Sequence, residues 1–437
     1  MKRILLATTL GVLPIQATPL FAATCSVNGL DVTCAGDVTA GFSNSTAGLQ
    51  LEVTSGSTVS NAAGDAIRTR GNGVTVTNNG TISGTNPSGS DGIDGGNSLT
   101  VTNNGTITAT NKGIDADEKN DLTVINNGTI TAYDKAIRNA DGNNASLTNA
   151  TGALIESEID EGFESGDNAY VLNKGTIRAS DDAIQVGNNA TIINYGLIES
   201  VTRGGDEADP QDGIDIDSGS IENYGTIRSD DDAAIDYDAS DITSTITNAA
   251  GATISGTTGV LVEKGHFDED GEWQEANIAA QIVKNWGVIE GRSGFGLDLG
   301  AGDDDVSLYA GSTLIGGADL GADDDTLTIF GDLVAGIVGD ALLEGGTGTD
   351  IVSFASLGLS ALLTASFEGD FAFFTFANAP EITLSLANWE GYGFGDRVYS
   401  QAEIEAALAP VPLPAAGLLM VPALGALAAL RRRRRAA

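Results

Sequence analysis

Cysteine and histidine are almost absent from this chain. Cys25 and Cys34 are its only thiols, and His266 is its one histidine. The two cysteines are too far apart for C-x-x-C and have no histidine near them, which argues against a zinc module or a dithiol redox centre. No P-loop, zinc motif or Ser-His-Asp pattern occurs elsewhere. Basic residues are also scarce. Only 21 Lys and Arg face 60 Asp and Glu, a net charge of -39, and five of the 21 are Arg431–Arg435. A body so acidic repels nucleic acid and anionic membrane surfaces, so neither is expected as its partner. Calcium and other multivalent cations, and cationic or neutral surfaces, remain open to it. The same charge has a plainer use, since an acidic shell keeps stacked strands from sticking edge to edge. Aromatics make up 5% of the residues, as suits a thin core. Helical periodicity is lacking too: no repeat unit carries a 10–12-residue amphipathic stretch.

What the chain has instead is glycine, 58 residues of it, and self-similarity. Val101-Thr102-Asn103-Asn104-Gly105-Thr106-Ile107 recurs nearly unchanged at Val76–Ile82 and Val124–Ile130, the copies starting 25 and 23 residues apart. Looser copies stand at Leu172–Ile177, Ile193–Ile198, Ile221–Ile227 and Val283–Ile289. Asn149–Ile155 and Asn248–Ile254 read as copies with one extra residue in the turn. Each copy alternates β-branched residues around a polar corner, the signature of short strands. Asn-Gly is a turn pair, because Gly accepts positive φ and Asn tolerates it. A further apolar point follows each corner, as in Asp91-Gly92-Ile93-Asp94 and Lys112-Gly113-Ile114-Asp115. Each unit of 21–29 residues therefore reads strand, corner, strand, loop, strand. One such coil cannot bury its own apolar side chains, whereas stacked coils bury a continuous core. The expected fold is all-β: a single-stranded parallel β-helix solenoid, right-handed by the crossover rule. Stacking puts Asn78, Asn103, Asn126, Asn173, Asn194 and Asn223 in one ladder. Asn79, Asn104 and Asn127 also head Asn-x-Thr sequons, but the triplet repeats because the coil repeats.

Taken in order, residues 1–23 read as a Sec signal peptide, with Lys2-Arg3, an apolar Ile4–Leu13 and small Ala22-Ala23. Residues 24–48 form an N-terminal cap. There, a turn over Asn28–Asp31 sets Cys25 opposite Cys34 for a disulfide, as an exported protein allows. Residues 49–298 are β-helix repeats, interrupted near Glu263–Gln274 by an insertion holding His266 and Trp273. Loops on rigid scaffolds are favoured binding sites, although a lone histidine is usually unremarkable. Residues 354–409, with Phe371, Phe373, Phe374 and Phe376, close the C-terminal edge, and Gln401–Leu408 suits a short helix ended by Pro410.

Between them, residues 299–353 are Gly/Asp-rich continuing coils. Gly300–Val306, Gly321–Leu327 and Gly345–Val352 repeat one texture, and the last resembles in full the G-G-x-G-x-D-x-apolar calcium nonapeptide of RTX proteins. That resemblance implies calcium near Asp304, Asp325 and Asp350, for which carboxylates are suitable ligands. The three copies lie 20–25 residues apart, however, at coil spacing and not in tandem. Asp-rich solenoid corners are thus the first reading and calcium the second; no other cofactor is expected.

The tail, residues 410–437, carries Val411-Pro412-Leu413-Pro414-Ala415, an apolar run to Leu430, and Arg431, Arg432, Arg433, Arg434 and Arg435. An apolar run of this length is marginal but sufficient for a transmembrane helix, and the arginines hold its end in the cytoplasm. Motif, span and basic stop together resemble the VPLPA-CTERM sorting domain of Gram-negative bacteria, a relative of PEP-CTERM. The resemblance implies recognition by an exosortase in the inner membrane, cleavage near Val411–Ala415, and delivery to the cell surface or matrix, often with exopolysaccharide. The coils themselves resemble the passenger domains of autotransporter adhesins. The translocating barrel of that family, whose strands of about 10 residues alternate, has no room after the last coil.

Parallel β-helices often act on polysaccharide. Asp212-Gly213-Ile214-Asp215 with Asp230-Asp231-Asp232 is weakly similar to the paired acids of polygalacturonases. The same tetrapeptide stands unaccompanied at Asp91–Asp94, and the family's Gly-His-Gly and Arg-x-Lys elements are absent. No catalytic residue is therefore assigned. The expectation is a secreted, non-catalytic surface solenoid for adhesion or for exopolysaccharide association. A polysaccharide hydrolase or lyase is the alternative.

Overall fold

The structure is a computed structural model that describes residues 23–202, 211–267, 273–331, 337–395 and 397–409. Residues 1–22, within the expected signal segment, and 410–437, with the expected sorting motif and the arginines, lie outside these. So do the side chains of His266 and Trp273. The chain divides into two compact units, 1–180 and 181–437. Both are parallel β-solenoids with almost no helix, about 12 turns in all.

The winding of the first unit starts inside the 24–48 segment. Cys25–Asn28 and Asp31–Cys34 pair antiparallel, with Cys25 opposite Cys34 and the disulfide formed. Asp31–Cys34 then pairs in parallel with Gln50–Val53, and Asp37–Val38 with Thr58–Asn61. The disulfide hairpin is therefore also the first rung. Above it the coils repeat in strict register. Val76, Val101, Val124, Leu147 and Val171 form one inward column. Ile82, Ile107, Ile130, Ile155 and Ile177 form a second. Ile67, Ile93, Ile114, Ile137 and Phe163 form the third, and every residue of the three columns is fully buried. The period-2 alternation points each of these inward and its neighbours outward. Each buried side chain contributes about 1.5–3 kcal/mol, and only the stacked neighbour makes that burial available.

The second unit continues the pattern. Ile192, Ile221, Ile246, Val283, Val306, Leu327 and Val352 line one column. The insertion is an antiparallel hairpin, Lys264–Phe267 with Trp273–Ala276. Beyond residue 300 the second and third strands of a coil fuse into one, Thr313–Asp319, with a bulge between Ile315 and Gly317. An antiparallel sheet of Leu362–Glu368, Phe371–Phe376 and Ala379–Ala387 closes this end. It drives Phe374 and Phe376 onto Phe354, with ring centroids 6.2 and 5.0 Å away. Phe371 points outward and is half exposed. The helix Gln401–Leu408 forms as expected, opened by a capping box between Ser400 and Glu403.

Two local expectations need correction. The turns after Asn149 and Asn248 carry two extra residues, not one: Asn126 and Thr129 align with Asn149 and Leu154. Gly152 and Gly251 occupy the left-handed positions that these longer turns require. The glycines of the Asn-Gly corners, by contrast, are not left-handed. A Cβ on Gly105 would lie 2.0 Å from the carbonyl oxygen of Gly80, and one on Gly128 equally close to that of Gly105. Close stacking of backbone on backbone, not positive φ, demands glycine there. The left-handed residues stand at other turns: Ser98, Asp121, Asn144, Asn168 and Asn189.

Candidate functional site

The asparagine ladder is architecture. Asn78, Asn103, Asn126, Asn149 and Asn173 in the first unit are all fully buried. The amide nitrogen of each of the first four donates to the next rung's Oδ1 at 2.8–3.0 Å. It also donates to a backbone carbonyl, Thr106 O in the case of Asn78. The Oδ1 of Asn78, Asn103, Asn126 and Asn173 accepts from the glycine two residues on, as in Gly105 N to Asn103 at 3.3 Å. The ladder in the second unit runs through Asn194, Asn223, Asn248 and Asn285. Asn149, Asn248 and Asn285 are rungs beyond those expected from spacing. Just outside lies a second, exposed row: Asn127 donates to Asn104 and Asn104 to Asn79, both at 2.8 Å. In the second unit the same outer position carries stacked rings: Tyr195 on Tyr224, and Trp286 on Tyr309 on Phe330, at 4.7, 3.9 and 4.9 Å.

Several acids of the coils are held by basic neighbours. Asp94 lies between Arg68 and Arg70 at 3.0 and 2.6 Å. Lys135 meets Glu161 and Glu164 at 2.6 and 2.9 Å. Fully buried Glu199 is paired with Arg228. Lys264, at the base of the insertion, reaches Asp298 and Asp319. The repeated Asp-Gly-Ile-Asp motif is largely explained by such contacts. Asp91 Oδ1 accepts from Asn111 Nδ2 at 2.8 Å and from Lys112 N at 3.1 Å, in the coil that follows. Burial pushes the Asp91 carboxyl up to about 6. In the second copy, Asp215 accepts from Gln185 at 3.0 Å and stands in register with Asp236 on the next coil. Asp212 is 5% exposed, and its Oδ1 has no hydrogen-bond partner among the described residues. Burial, then the neighbouring Asp236, pushes it up to about 10.

The Gly/Asp corner brings the three predicted residues together. Asp304, Asp325 and Asp350 stack on successive rungs, each 2% exposed or less. Burial foremost, with the neighbouring carboxylates adding to it, raises all three, Asp304 to about 9 and Asp325 to about 8. A fourth residue belongs to the same column and was not expected from the sequence. Gln281 aligns with Asp304, since Ile282 pairs with Asp305. Its place two residues before the inward Val283, the offset that Asp304, Asp325 and Asp350 share from Val306, Leu327 and Val352, was the available signal. Asp303 and Asp324, the outer acids of this corner, are exposed. Each accepts from the coil above, Asp303 from Asp324 N and Asp324 from Thr349 N. Val411, Pro412, Leu413, Pro414, Ala415 and Arg431–Arg435 lie outside the described residues. Among the described residues no helix is long and apolar enough to cross a membrane.

No family model matches this chain, and neither the curated proteins nor the solved structures contain a match.

Proposed function

We propose that this is an exported, non-catalytic solenoid displayed on the cell surface or in the extracellular matrix. It would bind exopolysaccharide or another surface glycan through many weak, repeated contacts. The observation that carries this reading is the repetition of outward-facing groups at rung spacing. The exposed Asn79, Asn104 and Asn127 form one such row, and Thr75, Thr100 and Thr123 another. Rows of equal groups about 4.8 Å apart add their contacts through effective concentration without needing one deep pocket. The Cys25–Cys34 disulfide suits an oxidising compartment. The remaining support is in the sequence: a Sec-type leader at residues 1–23, and a VPLPA-like tail whose transmembrane helix would hold the precursor in the inner membrane for an exosortase. The winding is right-handed under the crossover rule.

A polysaccharide hydrolase or lyase is the competing reading, and Asp215 with Asp236 is what favours it. Adjacent rungs about 4.8 Å apart approach the ~5–5.5 Å carboxyl separation of retaining glycosidases. One experiment separates the two. The purified chain is incubated with neutral and uronate polysaccharides, and both sedimentation with the polymer and new reducing or unsaturated ends are measured. Binding without turnover is expected. Turnover that is lost in Asp215→Asn would overturn the display reading. For the tail, Pro412→Ala with Pro414→Ala is expected to leave the protein in the inner membrane; unchanged size and location would remove exosortase sorting from the account.

A further inference from the structure

The outer column beside the asparagine ladder lacks one ring. In the second unit it runs Tyr195, Tyr224, Ala249, Trp286, Tyr309 and Phe330, one residue per rung. Backbone bonds fix this register. Tyr224 N donates to Asn194 O at 2.7 Å, Ala249 N to Asn223 O at 2.9 Å, Trp286 N to Asn248 O at 2.8 Å and Tyr309 N to Asn285 O at 2.9 Å. Tyr195 and Tyr224 stack below the alanine, and Trp286, Tyr309 and Phe330 stack above it. The second face of Tyr224 is therefore turned toward the second face of Trp286, across a rung that offers only a methyl group.

The turn does not force this alanine. Ala249–Ala252 is one of the longer turns, closed by Ala252 N donating to Ala249 O at 3.0 Å, with Gly251 left-handed at φ 84°. Tyr309–Ser312 is the same turn: Ser312 N donates to Tyr309 O at 3.0 Å, and Gly311 has φ 85°. There the first position holds a ring, which stacks on Trp286 at 3.9 Å and on Phe330 at 4.9 Å. Nor does either turn crowd its surroundings, since a Cβ added to Gly251 or Gly311 would meet no atom within 4 Å. Position 249 has the backbone for a ring and carries none.

Two rungs separate Tyr224 from Trp286, about 9.6 Å. A flat ring touching both faces takes about 7–8 Å of that, from two carbon contacts of about 3.5–4.0 Å. The remaining ~2 Å suits a puckered, saturated ring whose C–H bonds point at both faces. The floor beside the gap is polar. Glu222, Thr247 and Lys284 face outward in one row, in register on the same three rungs. Tyr224 Oη donates to Glu222 Oε2 at 3.0 Å, which lays the ring over this row. An acceptor, a hydroxyl and a donor at rung spacing match the hydroxyl groups on the edge of a sugar ring. The net charge of -39 disfavours a uronate there.

We propose that Tyr224 and Trp286 clamp one uncharged pyranose ring of a β-linked glycan over Ala249, with Glu222, Thr247 and Lys284 bonding its hydroxyls. A ring of the glucose or N-acetylglucosamine type suits the gap, because its substituents are equatorial and its axial C–H bonds meet both aromatic faces. This assigns a site and a sugar class to the glycan reading above, and rests on it.

The test uses the full chain in a detergent without a sugar headgroup. Cellohexaose and chitohexaose are titrated in a calorimeter, with hexagalacturonate as the anionic control, and sedimentation with the parent polysaccharides is measured alongside. Saturable binding of a neutral hexasaccharide is expected, with the uronate weaker by about tenfold or more. Ala249→Tyr fills the gap with the ring that the matching turn at Tyr309 accepts. It should abolish binding without lowering the melting temperature. Trp286→Ala removes one face and should weaken binding by about tenfold or more. Ala150→Tyr, at an alanine that opens the same longer turn in the first unit, should leave it unchanged. The site is overturned if neither neutral hexasaccharide binds at millimolar concentration, if the uronate binds equally, or if binding is unaltered in folded Ala249→Tyr or in Trp286→Ala. Should the unaltered chain still sediment with a polysaccharide in such a case, only this site falls and the glycan reading stands; should it sediment with none, both fall. Trp286→Ala decides even if Ala249→Tyr fails to fold.

Discussion

Asn103 and Asn104 are neighbours in sequence and near-identical in chemistry, yet replacing each by alanine should have very different consequences. Asn103 is fully buried and makes four hydrogen bonds. It donates to Asn126 Oδ1 at 2.8 Å and Thr129 O at 3.0 Å, and accepts from Gly105 N at 3.3 Å and Asn78 Nδ2 at 2.8 Å. Alanine leaves Gly105 N without its side-chain acceptor and breaks the amide row on both sides. A stranded buried donor costs about 1–3 kcal/mol, and each of the two broken amide–amide bonds about 1 kcal/mol net, so Asn103→Ala should cost at least about 3–5 kcal/mol. Asn104 makes two exposed bonds, to Asn79 and from Asn127. Water replaces them, and Asn104→Ala should stay within about 0.5 kcal/mol. A solenoid's stability is roughly a sum over coils and their interfaces, so the loss should be local. Native-state hydrogen exchange is the suitable assay. Amides of the coil around Gly105 should exchange about 10²–10³-fold faster in Asn103→Ala, at about 1.4 kcal/mol per tenfold, and hardly faster in Asn104→Ala. If the two variants agree within about 1 kcal/mol, the load assigned to the inner ladder is refuted.

Two further outcomes are expected. Asp91 is raised to about 6 by burial, against about 3.9 in the unfolded chain. The folded state therefore keeps a proton that the unfolded state has released. Stability from this group is present below about pH 4 and is lost as pH rises to about 6, by about 3 kcal/mol at most. Asp91→Asn keeps the oxygen that receives Lys112 N, and should flatten the melting temperature against pH across that window; an unchanged slope would count against it. Lys135→Met should cost about 3 kcal/mol, because it strips Glu161 and Glu164 of their shared cation. Urea unfolding of the first unit at neutral pH measures it, and recovery at low pH, where the glutamates are neutral, distinguishes lost charge from lost packing.

Much of the architecture was legible from particular residues. Val76, Val101 and Val124, with Ile82, Ile107 and Ile130, recur at coil spacing, and their alternation with polar residues decides which way each side chain faces. The disulfide hairpin was readable because Asn28-Gly29 sits midway between two cysteines in a chain that has no others. The role of the corner glycine was not readable. Asn-Gly suggests positive φ, but whether a Cβ fails by torsion or by collision depends on a neighbour about 25 residues away, Gly80 under Gly105. Turn length misled in the same way at Asn149, since only inter-coil register counts the residues in a loop.

The sequence by itself determined the repeat, its period, the columns of the core and the acidic surface, because each of these is periodic and periodicity is a one-dimensional property. It also placed Asp304, Asp325 and Asp350 at one corner. Only the tertiary structure decided which carboxylates meet a base and which do not. Glu199 and the column from Gln281 to Asp350 are equally buried, and neither burial nor pairing is written in the local pattern. Charge compensation acts between coils, over distances of a few ångströms and separations of 20 to 30 residues. It appears only once the coils are stacked.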